Sequence, residues 1–431
     1  MKNLLMIIPF FPPNAGGGVY RPLGFVKYLE RCGWRPIVVT PQSESFWIMD
    51  ETLLRDVPSN CEVRRTRTLS GQYMLSRFRG KRQIKGSRQV RSSRGFGFLR
   101  KLGATLLVPD TYIGWYPFAV REGRKVLEKR RIDAIYSTSP PETSHLVAHK
   151  LHEISGVPWV ADFRDPWMNL HLLPRPTPFH DRLHESLERR VCSKAATIVT
   201  NRWHLELLEK RYPQLKRVTL IPNGYDPADV EAVMDLEPSS EVFQIVHAGM
   251  LTQKRSAIPF LKALRIFLDR TPDASKRCRV IFLGPRESDN EREVTNLGLD
   301  GVVSFRDTVK HHEAVKIERS SQLLLLIKHK NPVYDGIVPG KLYEYIGVRR
   351  PILALVPEGE AGDIVKRLNR GEIAPLDDTQ GIAERIGMMY EKHRERKLDQ
   401  EYDLNPVAEY RRDVLTGELA AYLDSMSDGG D

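Results

Sequence analysis

The chain has 431 residues, nearly three times the length of an ordinary domain, so two domains of about 200 residues each are expected. Hydrophobic residues at 41%, charged residues at 28%, and 30 Gly and 29 Pro together exclude a disordered or collagen-like protein. Cys32, Cys61, Cys192 and Cys278 never come closer than 29 residues, which excludes a C-x-x-C metal or redox pair and a dense disulfide framework and fits a reducing, cytosolic setting.

The apolar opening predicts a strand over 4–9. It runs into Pro12, Pro13 and a glycine run with no small-residue cleavage site, so it does not read as a signal peptide, and no window reaches 18 apolar residues. A helix over 19–31 and a strand over 35–40 follow. Gly16, Gly17 and Gly18 lead directly into that helix, whose first N–H groups favour an anion or a developing negative charge. A dinucleotide fingerprint would need a third glycine where Arg21 stands, and an acid at the end of the second strand, where Pro41 and Gln42 stand. A purely structural tight turn remains the alternative.

The net charge is +11, yet residues 63–109 hold 13 Arg or Lys and no acid, leaving −2 for the other 384 residues. The basicity is therefore one insertion. Its core includes Arg77, Arg79, Lys81, Arg82, Lys85 and Arg88, with Phe78, Phe96 and Phe98 interleaved. Cations beside apolar anchors suit an anionic membrane surface or acceptor, each cation contributing about 1 kcal/mol. Nucleic acid is the weaker reading, because the rest of the chain lacks a basic face, and a solvated loop is the third.

Strands over 134–137, 158–162 and 197–201 alternate with helices over 142–153 and 180–193. The strand ending in A-D-F-R-D-P-W sets Asp162, Arg164 and Asp165 where open α/β sheets place ligand contacts. Period-two alternation puts Asp162 and Arg164 on one side, so a pair that fixes the turn competes with a hydroxyl-binding or proton-handling role for Asp162 or Asp165. Tyr136, Ser137, Thr138 and Ser139 end the preceding strand and could line the same crevice. His145, His149 and His152, like His180 and His184, have helical spacing. No H-E-x-x-H accompanies them, so they are assigned to helix surface or core, and no metal is expected.

I-P-N-G-Y-D at 221–226 carries the turn signal of a hinge. A second series follows, with strands over 243–248, 279–283, 302–305, 322–327 and 352–356 and helices over 258–269, 341–348 and 362–369. A last helical pattern covers 406–426. V-H-A-G-M-L-T-Q-K-R sets Gly249 at a strand end and Lys254 and Arg255 just beyond, two cations of the kind a diphosphate needs. In Y-D-G-I-V-P-G-K-L-Y-E-Y, Pro339 and Gly340 precede a helix beginning near Lys341, which aims N–H groups at a phosphate. Glu344, placed in the first helical turn, could accept two hydrogen bonds from a ribose diol.

In their order, the glycine loop, D-F-R-D-P-W, P-N-G-Y-D, the Lys-Arg pair and P-G-K-L-Y-E-Y resemble a family 4 glycosyltransferase of the GT-B architecture. The resemblance implies two Rossmann-like doubly wound α/β domains facing each other across a cleft. These would be an acceptor-side domain over 1–221 with the basic insertion 63–109, and a nucleotide-sugar-binding domain over 222–404. The C-terminal helix over 405–431 could pack on either domain, including back on the first. It also implies retaining transfer from a nucleotide diphosphate sugar of UDP or GDP type, with no cofactor or metal, to a membrane-associated or lipid-linked saccharide acceptor. The setting would be envelope or exopolysaccharide assembly at the inner face of the cytoplasmic membrane, with no nucleic acid partner. By the same resemblance, Lys254 and Arg255 match the diphosphate-binding residues, Gly340, Lys341 and Leu342 the phosphate-facing amides, Glu344 the ribose acid, and Gly17 and Gly18 the loop near donor and acceptor. Two departures stand out: the first acid of the family's E-x7-E pair is replaced by Gly336, beside Asp335, and the family's histidine by Arg164 and Asp165. A nucleotide-sugar epimerase of the same fold and a non-catalytic nucleotide-sugar-binding protein are the alternatives.

Overall fold

The computed structural model describes residues 1–42, 49–69, 107–168, 175–215, 217–252, 255–328 and 334–427. They divide into two compact units, one holding the described residues up to Asn223 and from Arg412 onward, the other Gly224–Arg411.

The first unit is built on a parallel sheet of seven strands. In chain order its elements are β1 (Lys2–Ile7), α1 (Tyr20–Tyr28), β2 (Trp34–Pro41), β3 (Glu62–Thr66), α2 (Tyr116–Lys129), β4 (Ala134–Ser139), α3 (Thr143–Ser155), β5 (Trp159–Phe163), α4 (Pro178–Lys194), β6 (Ala196–Val199), α5 (Arg202–Arg211) and β7 (Val218–Leu220). The strand order is β3-β2-β1-β4-β5-β6-β7, so the winding reverses between β1 and β4. Alternation decides which side chains go where: Leu4, Met6 and Ile8 enter one core and Leu5 and Ile7 the other, one on each face of the sheet. Two boundaries differ from the sequence reading. The first helix runs Tyr20–Tyr28 and tightens into a short 3-10 turn, Leu29–Cys32, closed by Gly33 at φ +83°. The basic insertion does not begin at residue 63, because Glu62–Thr66 pairs with β2 as the edge strand. Its Arg64 is bridged to Glu62, which lets so charged a strand sit at an edge.

The second unit repeats the plan with six parallel strands. Its elements are α6 (Pro227–Glu231), β8 (Phe243–Ala248), α7 (Ile258–Arg270), β9 (Cys278–Leu283), α8 (Ser288–Asn296), β10 (Val303–Arg306), α9 (His311–Arg319), β11 (Leu323–Ile327), α10 (Gly340–Gly347), β12 (Ile352–Leu355), α11 (Glu360–Arg367), β13 (Gly371–Ala374) and α12 (Thr379–Arg394). The order β10-β9-β8-β11-β12-β13 reverses between β8 and β11. β11 reads Leu-Leu-Leu-Leu-Ile and is buried throughout, Leu323, Leu325 and Ile327 joining one core and Leu324 and Leu326 the other. Side-chain caps start α5 and α6: Asn201 accepts from the His204 amide at 2.8 Å and Asp226 from the Ala228 amide at 3.0 Å.

The chain passes between the units at 223/224 and again at 411/412, where Tyr225 pairs with Arg411 and its amide donates to the Tyr410 carbonyl at 2.9 Å. The last helix, α13 (Arg412–Ser427), belongs to the first unit. Its Leu415, Leu419, Leu423 and Met426 share a core with Leu23 and Val26 of α1. Gly24 is what lets the two approach, since a Cβ there would lie 2.5 Å from the Arg412 side chain.

Candidate functional site

Open parallel sheets bind ligands at the carboxyl ends of their strands, where the winding reverses. In the first unit that edge carries the glycine loop and the D-F-R-D turn. Gly16, at φ +116°, turns the chain, and its carbonyl accepts from the Val19 amide at 3.0 Å. Gly17 is exposed, and Gly18 packs where a Cβ would sit 2.8 Å from Arg164 Nη1 and 2.9 Å from the Phe10 ring. A side chain at 18 would therefore displace Arg164.

Asp162 and Arg164 do not pair with each other. Asp162, with no exposed surface, takes Arg21 instead, accepting from Nη2 at 2.9 Å and Nε at 3.0 Å, together with the Tyr136 hydroxyl at 2.5 Å and Thr138 Oγ1 at 3.1 Å. Burial works to raise its pKa, but the Arg21 charge and these hydrogen bonds outweigh it and hold the carboxyl below the usual range. Asp162 thereby ties α1 to the sheet, with Arg21 as its ion-pair partner. Arg164 donates to the carbonyls of Ser139, at 3.0 Å, and Pro140. Asp165 is partly exposed, and burial raises its pKa against the pull of Arg164. The sequence reading missed Glu142, a buried carboxyl whose Oε2 has no partner; burial, then neighbouring Asp110, push its pKa well up. Asp110 is itself held by the Thr143 amide at 2.8 Å and hydroxyl at 2.9 Å.

In the second unit, β8 ends at a tight approach: the Gly249 amide donates to the Leu283 carbonyl at 2.9 Å, and Gly284, at φ +122°, has room for no Cβ because the Gly249 carbonyl would lie 2.7 Å away. Just beyond, Thr252 and Arg255 exchange backbone hydrogen bonds at 3.1 and 2.9 Å, and the buried Nε of Arg255 has no partner. Lys254 lies outside the described residues. Tyr345 of α10 pins this edge together, its hydroxyl accepting from the Ala248 amide at 3.0 Å.

α10 begins at Gly340, with Pro339 at its N-cap. The Leu342 amide is already spent on the Pro339 carbonyl at 3.0 Å, and the Leu342 side chain is core, which leaves Gly340 and Lys341 to present helix-start amides. Glu344 stands in the second turn, not the first, so it is not a dipole-complementing residue. It belongs to a buried network. Lys341 Nζ bridges Glu318, at 2.9 Å, and Glu344. His311 Nε2 meets Asp229 at 2.9 Å while Nδ1 lies 4.0 Å from Glu344. Burial works to raise the Glu344 pKa, but Lys341 and His311 prevail and hold it at about 2; burial pushes Glu318 well up; and His311, despite burial, is raised by Asp229 and Glu344. Nothing in the sequence signals this network, since Asp229 and His311 are 82 positions apart. The Asp335 carbonyl accepts from Lys328, a buried lysine at the end of β11 that sequence reasoning also missed, and Gly336 is partly exposed beside it.

The candidate metal histidines serve the fold: His145 bonds Ser137 at 2.8 Å, His152 Nδ1 bonds the Val157 carbonyl at 2.8 Å, and His184 accepts from Trp167 at 2.9 Å. A cavity of about 640 Å³ lies at the opposite edge of the second sheet, lined by Arg319, Arg350 and Asp399, away from the glycine turn. Arg77, Arg79, Lys81, Arg82, Lys85 and Arg88 fall outside the described residues. Among the described residues no helix is long and apolar enough to cross a membrane.

Residues 16–224 match the model of the glycosyl transferase 4-like domain. The full chain superimposes on solved GT-B glycosyltransferases. The chain has the GT-B fold, and residues 16–224 carry a glycosyl transferase 4-like domain. Anabaena HepE in complex with UDP is similar at 14% identity and a TM-score of 0.64, covering 99% of this chain and 100% of that one. WaaG, a glycosyltransferase involved in lipopolysaccharide biosynthesis, is similar at 13% identity and a TM-score of 0.61, with 99% and 100% covered. Sucrose-phosphate synthase from Thermosynechococcus elongatus is similar at 14% and 0.63, with both chains fully covered. No curated protein matches this chain in sequence.

Proposed function

We propose that the protein is a glycosyltransferase that moves a sugar, with retention of configuration, from a nucleotide diphosphate sugar of UDP or GDP type to a membrane-associated, lipid-linked acceptor in envelope or exopolysaccharide assembly. The observation that carries the donor assignment is Arg255. Its guanidinium nitrogen Nε is buried and unpartnered on the strand edge that Tyr345 ties to α10. A partly buried cation with an unsatisfied donor, on the sheet edge that also carries free helix amides, suits a diphosphate, with Lys254 adding a second charge. Glu344, ionised and fixed by Lys341, has the acceptor oxygens a ribose diol needs. Anabaena HepE, a structural neighbour, has been solved with UDP and with UDP-glucose, which supports the same donor class here.

In the proposed reaction the bond from the sugar C1 to the diphosphate oxygen breaks and a bond from C1 to the acceptor oxygen forms on the same face. The acceptor hydroxyl proton passes to the departing diphosphate. Negative charge gathers on that leaving group, where Arg255, Lys254 and the Gly340 and Lys341 amides stabilise it as it develops. Gly17, Gly18, Arg164 and Asp165 form the acceptor-side edge in this reading. The basic segment, with Arg77 through Arg88, would hold the enzyme at an anionic membrane face as a peripheral protein.

A thermal-shift panel with UDP, GDP, ADP, CMP and NAD tests the donor site. A nucleotide present at about 100 times its dissociation constant adds about 2.7 kcal/mol. Stabilisation by UDP or GDP alone names the base, and Arg255→Ala or Glu344→Ala should abolish the shift while leaving the unliganded transition in place. A response to NAD alone, or wild-type shifts in both variants, would overturn the assignment. Labelled donor with membrane extract then separates transfer from epimerisation, which yields an isomerised sugar without acceptor.

A further inference from the structure

Lys328 is unusual for a lysine. It follows β11, its amide extending the ladder to the Leu355 carbonyl at 3.1 Å, and so stands at the carboxyl edge beside the β8/β11 reversal. Its residue is only 3% exposed. Lysines are almost never buried without a paired acid, yet the hydrogen-bond partner of this ammonium is a backbone carbonyl, that of Asp335, and no carboxylate among the described residues forms an ion pair with it. An ammonium has three donors, and one carbonyl satisfies one of them. Arg255, across the same reversal, repeats the pattern with its orphaned Nε. Two cations drawn from water, in part or whole, and without an ion-paired acid among the described residues are costly in an empty protein and become favourable when an anion bridges them.

We propose that Lys328 is a direct ligand of the donor diphosphate, forming with Arg255 a two-cation cradle where the winding of the second sheet reverses. This rests on the reading that the second unit binds a nucleotide diphosphate. A merely structural Lys328 would tie down the turn that holds Asp335, a task for which a neutral donor suffices.

The charge of Lys328 is also conditional. Burial brings its pKa down to about 8, with Asp335 and Glu360 pulling upward and Arg255 pushing down. The nucleotide's diphosphate is fully ionised above that pH and Arg255 does not titrate there, so a loss of affinity on the alkaline side reports Lys328.

The test is calorimetric titration of the full chain with UDP and with uridine from pH 7 to about 8.5, below the ionisation of the base N–H, using GDP and guanosine instead if wild type selects GDP. Variants are Lys328→Met, Lys328→Arg and Arg255→Gln, each first checked for its melting transition. A charged hydrogen bond lost from a buried site predicts about tenfold or greater weakening of UDP in Lys328→Met, with uridine unchanged. Wild-type affinity for UDP should fall as pH rises past about 8, whereas both Lys328 variants should be flat, Arg because it stays charged and Met because it never was. If UDP and uridine weaken together, Lys328 acts through the shape of the turn and the proposal fails. If Arg255→Gln costs UDP affinity and Lys328→Met does not, the diphosphate site stands without Lys328. If wild type binds neither nucleotide, the donor-site reading itself falls.

Discussion

Asp162 offers a direct contest between anchoring and chemistry. Replacing it with Asn removes the charge opposite Arg21, which is itself buried, and weakens the bonds from Tyr136 and Thr138. Breaking a buried pair by removing one partner costs about 3–5 kcal/mol, chiefly because the other charge is stranded. In a unit of 150–250 residues each kcal/mol moves the melting temperature by about 2–4 °C, so a fall of about 6–20 °C is expected in the transition of the first unit. Arg21→Met should cost a similar amount. The double variant Arg21→Met/Asp162→Leu should be more stable than either single one, since no charge is left alone, and the cycle gives the coupling. The acid limb follows from the depressed pKa. Stability from this pair is complete above the unfolded aspartate value of about 3.9 and is lost as pH falls through the lower folded value. Thermal and urea unfolding followed by circular dichroism measure each term. A melting temperature within a degree of wild type for Asp162→Asn, combined with lost transfer, would return Asp162 to the chemistry and refute the anchor.

Three further outcomes are expected. Gly371, at φ +152°, would place a Cβ 1.9 Å from the Ile352 carbonyl oxygen, so Gly371→Ala should destabilise the second unit by about 2–4 kcal/mol in urea unfolding; an unchanged midpoint contradicts the clash. His311 is raised, so its contribution to stability is full below about pH 6.5 and disappears as pH climbs through its folded value. His311→Gln should therefore flatten the stability profile between pH 6 and 8, and a profile parallel to wild type would exclude His311 as its source. Replacing Arg77, Arg79, Lys81 and Arg82 with Ala removes about 4 kcal/mol of attraction to anionic lipid, which co-sedimentation should show as loss of binding to phosphatidylserine vesicles. Equal binding of wild type to neutral vesicles would count against the electrostatic reading.

What the sequence made legible was local. Leu-Leu-Leu-Leu-Ile can be little other than a strand buried on both faces, and Pro339-Gly340 announces the start of α10 because Pro fixes the entry and disfavours what precedes it. The edge strand Glu62–Thr66 was hidden by its own composition: three charges in five residues read as loop, and only pairing to β2 and the Arg64–Glu62 bridge make it a strand. Short strands such as Gly371–Ala374 were lost for want of length.

The partner of Asp162 was hidden for a different reason. Period-two geometry correctly put Asp162 and Arg164 near one edge, but it could not say that Arg21, 141 positions earlier, would reach the carboxylate first. Arg21 had entered the sequence argument only as the residue that spoils a dinucleotide fingerprint, yet its side chain fastens the helix after the glycine loop to the end of β5. Lys328 was invisible for the converse reason, since a lysine after an apolar strand looks like the place where the chain meets water. In both cases the residue type was plain and the charge balance was not, because counter-charges are set by tertiary packing. The two units thus handle similar edges in opposite ways. The first neutralises its buried cation internally with Asp162, and the second leaves Arg255 and Lys328 without an ion-paired acid among the described residues. A buried charge that the fold does not pair is where a charged ligand gains most, which is why the donor belongs with the second edge in this reading.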